Sequence, residues 1–340
     1  MERELVKEGK SKKGEEQMGV NKIYNEDLFT SKANEKFSKH IKTQSKRTLE
    51  LLEEKIDWKK LLAPIEKKIS KKREKLNEAG RKSFSLEVIV KCFMLQSMYD
   101  LSDPRLEEEI ADRRSFQIFL GLNSGDSIPD ETTICRYRKM FSEEGLDKVL
   151  FESMNKQFRQ KGLILDKGTI VDATLKEAQA SYKSRRDKDA DYTKKNNKSH
   201  YGYKGHIAVE EESNIIKKVE FTKASIHDSE MFDNLVDYNE ESVLADKGYA
   251  SKQRRQKLEE KGIFDGILDR PYRNRELTKG QKTLNRILSR VRRRIERAFG
   301  YMKWVLGYGR CSYYDIKRNR FEFTFAAIGY NIRRMITLTS

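Results

Sequence analysis

Gly162 separates two hydrophobic rhythms in this chain of 340 residues. From Trp58 to about Lys161 the apolar residues recur at helical spacing; beyond Gly162 they alternate along short β-branched runs. A chain that changes period in this way folds as a helical region followed by a mixed one built on a sheet. We expect a helical part over 46–160 and a sheet-containing part over 161–340, a division that suits a length of roughly two domains. Residues 1–45 are polar, mixed in charge and poor in apolar side chains, and the expectation there is disorder.

The helical part carries its own punctuation. "SLEVIVKCFMLQSMYDL" (85–101) reads as a strongly apolar helix with Ser85 as its N-cap. "SDPRLEEEIADRRSFQIFLGL" (102–122) begins with a capping residue and places a proline in its first turn. "SIPDETTICRYRKMF" (127–141) joins a turn to a helix bearing Arg136, Arg138 and Lys139. A basic helix after a turn suits a DNA-binding module, and a scaffold with solvated charges fits it equally well.

In the second part, "GTIVDATL" is a β-branched strand over roughly 168–174. The stretch 181–206 is polar and basic, with Tyr182, Tyr192, Tyr201 and Tyr203 interleaved; such aromatics suit stacking on a distorted DNA end, or a solvated loop. "YKGHIAVEE" and "IIKKVEFTKA" form a hairpin around Glu212-Ser213-Asn214. A helix (227–238), a buried strand ending on Asp246, a charged helix, a strand (263–269) and a long helix (278–305) complete the order β-β-β-α-β-α-β-α. That order resembles the RNase H-like fold, an α+β or α/β class with a mixed five-stranded sheet and helices on both faces, here preceded by an all-α region.

Lysine and arginine number 71 against 54 aspartate and glutamate, a net charge of 71 − 54 = +17 with pI near 9.5. Such a surface attracts a polyanion, nucleic acid first among them. Cys92, Cys135 and Cys311 are scattered, which argues against a disulfide framework or a structural zinc site. No apolar run approaches the ~18 residues of a membrane span, and the first 30 residues lack a signal-peptide core. The expectation is a protein of a reducing cytoplasm that does not engage a membrane.

On the last long helix, Leu284, Ile287, Leu288, Val291, Ile295, Ala298, Met302 and Val305 form one packing stripe. Ser289, Arg292, Glu296 and Lys303 form a second stripe beside it, at the rim of the buried face. Glu296 reads either as an ordinary helix ion-pair partner of Arg292 or as a metal ligand. Asp172, within "TIVDATL", and Asp246, ending "VLAD", lie on strands expected to be neighbours. Each acid alone reads as a strand-end or turn residue. Together the three can hold two divalent cations for phosphoryl transfer, and hard oxygen ligands suit Mg²⁺.

At this point the chain resembles the bacterial insertion-sequence transposases of the DDE class, most closely the insertion-sequence-five group. The family signature around its third acid is Tyr, two residues, Arg, three residues, Glu, six residues, Lys. Arg292, Glu296 and Lys303 match it, with 296 − 292 = 4 and 303 − 296 = 7, while Ser289 stands at the tyrosine position. "VDATL", "ADKGY", "SIPDETTICRYR" and "AAIGYNIRRM" are also similar to the family, so the resemblance spans about 60–340. It implies that Asp172, Asp246 and Glu296 are catalytic and ligate two Mg²⁺ ions, with Mn²⁺ able to substitute. It implies partners too: the element's inverted-repeat ends and target DNA, bound by a homodimer or higher oligomer associated with the bacterial nucleoid. The side chains expected at DNA are Arg292, Lys303, Lys247, Tyr249, Arg136, Arg138 and Lys204. His206 and His227 are conceivable general bases, with core or capping roles favoured. Two other readings stay open: a nuclease of the same fold that cuts without joining, and a non-catalytic DNA-binding protein derived from a transposase.

Overall fold

The computed structural model describes residues 43–73, 84–123, 125–179, 186–195, 197–271 and 275–339. The expected disorder over 1–45 therefore falls almost wholly outside the described residues, as does Tyr182. Among the described residues seven helices come first: α1 (Gln44–Lys55), α2 (Trp58–Arg73), α3 (Leu86–Tyr99), α4 (Asp103–Asp112), α5 (Arg114–Leu120), α6 (Glu131–Glu144) and α7 (Leu146–Gln160). Local chemistry sets their starts. Ser85, Ser102 and Asp130 each accept a hydrogen bond from a backbone N–H three residues on, satisfying a donor that the helix leaves open. The helix expected over 102–122 is two, because Arg113 takes an extended conformation between α4 and α5.

The sheet follows: β1 (Gly168–Glu177), β2 (Asp191–Lys195), β3 (Lys198–Glu210), β4 (Ile216–Lys223), β5 (Ser242–Ala245) and β6 (Phe264–Ile267). Its order is β2-β3-β1-β5-β6, with β4 also on β3. β1 is antiparallel to β3 and parallel to β5, and β5 is parallel to β6. The mixed sheet matches the expected class. Its sixth strand, β2, comes from the polar stretch where a loop was one of the readings.

Helices cover both faces. Val171, Ala208, Val243 and Ala245 pack with α8 (Phe232–Leu235), with Leu258 of α9 (Lys252–Glu260) and with Tyr249. A 3-10 turn (Asp228–Met231) and the one-turn α8 replace the single helix expected over 227–238. Ile170, Ile207, Val209 and Leu244 point the other way. They share a core with Leu288 of α10 (Lys279–Arg292), Ile295, Ala298 and Met302 of α11 (Arg294–Trp304), and Phe323 of α12 (Ile316–Thr339).

That second core is continuous with the helical region. α12 lies against β4 on one side and against α3, α6 and α7 on the other. It approaches the sheet closely: a Cβ at Gly205 would stand 2.5 Å from Phe323 Cζ. Asn331 accepts the Ile216 N–H at 2.8 Å, and Asp147 on α7 receives Arg320 and the Thr324 hydroxyl. The change of rhythm at Gly162 is thus a change of secondary structure inside one compact unit, Lys42–Ser340.

Candidate active site

Strand parity brings the first two acids together. Val171 pairs with Ala245 across β1 and β5, and both face the α8–α9 side. Asp172, the next residue on β1, points to the opposite face because side chains alternate along a strand, and Asp246 follows immediately after the end of β5. That face is the one covered by α10 and α11. Asp172 also accepts the Ala173 N–H at 2.8 Å. Asp246 opens a 3-10 turn (Lys247–Tyr249), yet its carboxylate caps nothing and stays available. Gly248 is not there for its conformational range: its φ is not positive, and a Cβ would meet nothing within 4 Å.

Arg292, the last residue of α10, closes the pair. Its Nη2 lies 3.4 Å from Asp172 Oδ2 and 3.9 Å from Asp246 Oδ1, and its side chain is only 18% exposed. Burial pushes the Asp172 carboxyl above the usual carboxylate range; Asp246 and Asp228 add to that, and Arg292 pulls the other way. Asp228, at the start of the 3-10 turn before α8, is the acid that sequence reasoning passed over. Its position beside His227, at an ordinary capping box, gave no sign of proximity to Asp172.

Glu296 does not join them. The helix expected over 278–305 is interrupted at Arg293, where α10 ends and α11 begins. An unbroken helix would set Glu296 on the same face as Arg292, four residues earlier. Instead Glu296 is exposed, its carboxylate makes no hydrogen bond or ion pair among the described residues, and it lies in an open depression of about 480 Å³ with Arg290, Arg293, Arg294 and Arg297. The simple ion pair with Arg292 is therefore not formed either. Among the described residues no three acid, histidine or cysteine side chains converge as a metal cage. The break also splits the expected packing stripe: Leu288, Ile295, Ala298 and Met302 are buried, while Leu284, Ile287 and Val305 are exposed.

The Asp172–Asp246 pair nonetheless suits a hard divalent cation. Two carboxylates meet in a partly desolvated place that already requires positive charge. The Arg292 Nε and the Tyr249 hydroxyl are buried there without partners, two polar atoms that an ion's waters could satisfy.

Of the side chains expected at DNA, Arg136 and Lys247 are exposed, and Lys303 is half-buried with no acidic partner among the described residues. Three others are corrected by their surroundings. Arg138 is 5% exposed; its Nη1 donates to Asp103 Oδ2 at 2.6 Å and its Nη2 to Gln96 and Asp103 Oδ1, so it ties α6 to α3 and α4. Tyr249 is 1% exposed and packs on Phe232. Lys204 is held inside by the Ile226 carbonyl at 2.8 Å and by Asp228 at 2.9 Å. His206 is buried on β3 with Nε2 2.9 Å from Thr222 Oγ1, and His227 is a capping residue. The arginines around Glu296 were visible in "RVRRRIERAFGYMK" as a charge run; their convergence on one depression was not.

No helix among the described residues is long and apolar enough to cross a membrane. No solved structure matches the chain. Two families do. Residues 35–140 match the family described as Transposase domain (DUF772), and residues 165–332 match the Transposase DDE domain. The first match runs from α1 into α6 and the second covers the sheet with most of its covering helices, including Asp172, Asp246 and Glu296. The chain belongs to the insertion-sequence transposases of the DDE class.

Proposed function

We propose that this transposase cuts DNA at the ends of its own element and joins the freed 3′-hydroxyl to target DNA at one and the same site. The observation that carries the reading is the pair Asp172, on β1, and Asp246, just past the end of the parallel neighbour β5, with a single arginine as their shared counter-ion. Asp172, Asp246 and Glu296 would hold Mg²⁺ or Mn²⁺, which when bound activates the attacking oxygen and stabilises the leaving one.

The chain's own residues do the rest. Arg292, once relieved of the acids, offers a planar fork that can grip two phosphate oxygens of the strand to be cut. Arg290, Arg293, Arg294 and Arg297 surround Glu296 with positive charge, so a phosphate backbone entering that depression carries charge of the sign the arginines need. We infer that straightening the junction of α10 and α11 would turn Glu296 to the face from which Arg292 reaches the two aspartates, where the three acids would together hold the ion. The helical region, with Arg136 exposed on α6, would contribute to recognising the inverted ends, and two copies of the chain would pair two ends.

The test is cleavage and strand joining on labelled element ends with Mg²⁺, beside binding to the same DNA in chelator. Metal-dependent cutting followed by joining is the expected result. Cutting without joining would make the protein a nuclease of this fold, and binding with neither would make it a non-catalytic DNA-binding protein.

A further inference from the structure

β3 outruns the sheet. Its residues 202–210 pair with β1, whose last partners are Glu177 and Gly202. Beyond one further contact, the Ala178 N–H on the Tyr201 carbonyl at 2.9 Å, residues 198–201 have β2 as their strand partner among the described residues, and β2 takes over the edge of β3 where β4 ends. The result is a two-stranded ribbon. It projects in the direction in which β1 runs past Asp172, so it rises from the edge of the sheet that carries the acid pair. Asp172 is level with Ile207; from there to Lys198 is nine residues of strand, or about 30 Å at ~3.3 Å per residue.

The end of that ribbon is basic in a way that folding does not favour. Lys195 stands directly opposite Lys198, and Lys194 is beside them. Like charges facing each other across a ladder destabilise it. All three are exposed, and none has an acidic partner among the described residues. α11 brings a fourth cation: the half-buried Lys303, whose ammonium is disfavoured by burial and by Lys195 nearby. Its neighbour Trp304 is 88% exposed, a large apolar ring facing water at the end of α11.

We propose that the β2–β3 ribbon is a second DNA site that grips the backbone of a duplex about one helical turn (~34 Å) from the reacting bond, with Lys303 and Trp304 of α11 lining the path between the two. It rests on the reading above that DNA is the substrate. A two-stranded ribbon fits the major groove, its lysines meet phosphates on the rim, and Trp304 supplies a flat apolar contact. The mutual repulsion of Lys195, Lys198 and Lys303 is relieved by the polyanion, so the site is built for an occupant.

The experiment uses the full chain in chelator with a fluorescein-labelled duplex of about three helical turns, read by anisotropy over a range of salt. Replacing Lys194, Lys195 and Lys198 together by Gln should make the log–log salt slope shallower by up to about 2.7, three contacts at ~0.9 each, with an affinity loss of at least about tenfold near 0.1 M salt. If the triple variant melts early, Lys198→Gln alone should still lower the slope by about 0.9. Trp58 is buried, so red-shifted tryptophan emission reports on Trp304 and should be quenched by the duplex. On an end that the wild-type protein cuts, hydroxyl-radical protection centred about ten base pairs from the cut should vanish in the triple variant, while protection at the cut remains. Unchanged slope, footprint and emission beside normal wild-type binding would overturn the ribbon site and leave the DNA reading standing. A wild-type protein that binds no duplex would overturn both.

Discussion

Arg292 Nη2 lies 3.4 Å from Asp172 and 3.9 Å from Asp246, so one guanidinium serves as counter-ion to two carboxylates, one on β1 and one just past the end of β5. Arg292 and a metal ion meet the same electrostatic need. Without Arg292, two acids face each other in a place that burial already makes unfavourable for charge. Arg292→Ala is therefore expected to lower stability in chelator by about 1–3 kcal/mol, the range for breaking a partly buried charge network. Mg²⁺ or Mn²⁺ should restore most of it. Thermal melts with and without metal check this, and equal melting temperatures in chelator would show that the acids do not depend on Arg292.

Glu296 should behave in the opposite way. It is exposed and unpartnered, so Glu296→Gln should leave the melting temperature unchanged while Mg²⁺-dependent cleavage falls by several orders of magnitude. Binding in chelator should persist or tighten, because a negative charge leaves an arginine-lined surface. Asp172→Asn and Asp246→Asn should lose cleavage likewise, with little further loss in the double variants, since the acids act as a unit. Near-normal cutting by Glu296→Gln would shift the site to other acids, Asp228 first.

Arg138 and Arg136 sit two residues apart on α6 and should separate cleanly. Arg138→Ala strands Asp103 beside the core and should cost about 3–5 kcal/mol, as when one partner of a buried ion pair is removed. Arg136→Ala should barely move the melting temperature, and should reduce affinity for element ends if α6 takes part in recognising them. Denaturant melts beside anisotropy titrations resolve the two. A stable Arg138→Ala protein with weakened binding would return that residue to the DNA surface.

His206 makes stability depend on pH. Burial holds its imidazole down to about 4, from 6.5 in the unfolded chain. The unfolded state therefore takes up the proton first as pH falls. Stability present above pH 6.5 is lost between 6.5 and about 4, by at most roughly (6.5 − 4) × 1.36, or about 3 kcal/mol. Urea melts at pH 7.5 and 4.5 should show a larger drop for the wild-type chain than for His206→Gln. Equal drops would mean that His206 is hydrated and titrates freely in the folded state.

Much of this protein could be read along the chain because the relevant forces act over a few residues. Ser85, Ser102 and Asp130 cap helices wherever a polar side chain meets an open N–H three residues on. The order of strands and helices placed the strands that lead to Asp172 and Asp246 side by side, as β1 and β5 are. The spacing of Arg292, Glu296 and Lys303 carried the family. What local pattern could not decide was the partner of each long cation. Arg138 and Arg136 look alike on a helix, and only the packing of α4 against α6 set Asp103, 35 residues away in sequence, against one of them. Arg292 finds Asp172 across 120 residues, and that contact, with the break at Arg293, leaves Glu296 among arginines instead of acids. β2 had no apolar alternation to announce it; it pairs through its backbone at the edge of a strand longer than its other neighbours. Hydrogen-bond ladders and charge pairs of that kind exist only once distant segments are brought together, so tertiary structure alone decided them.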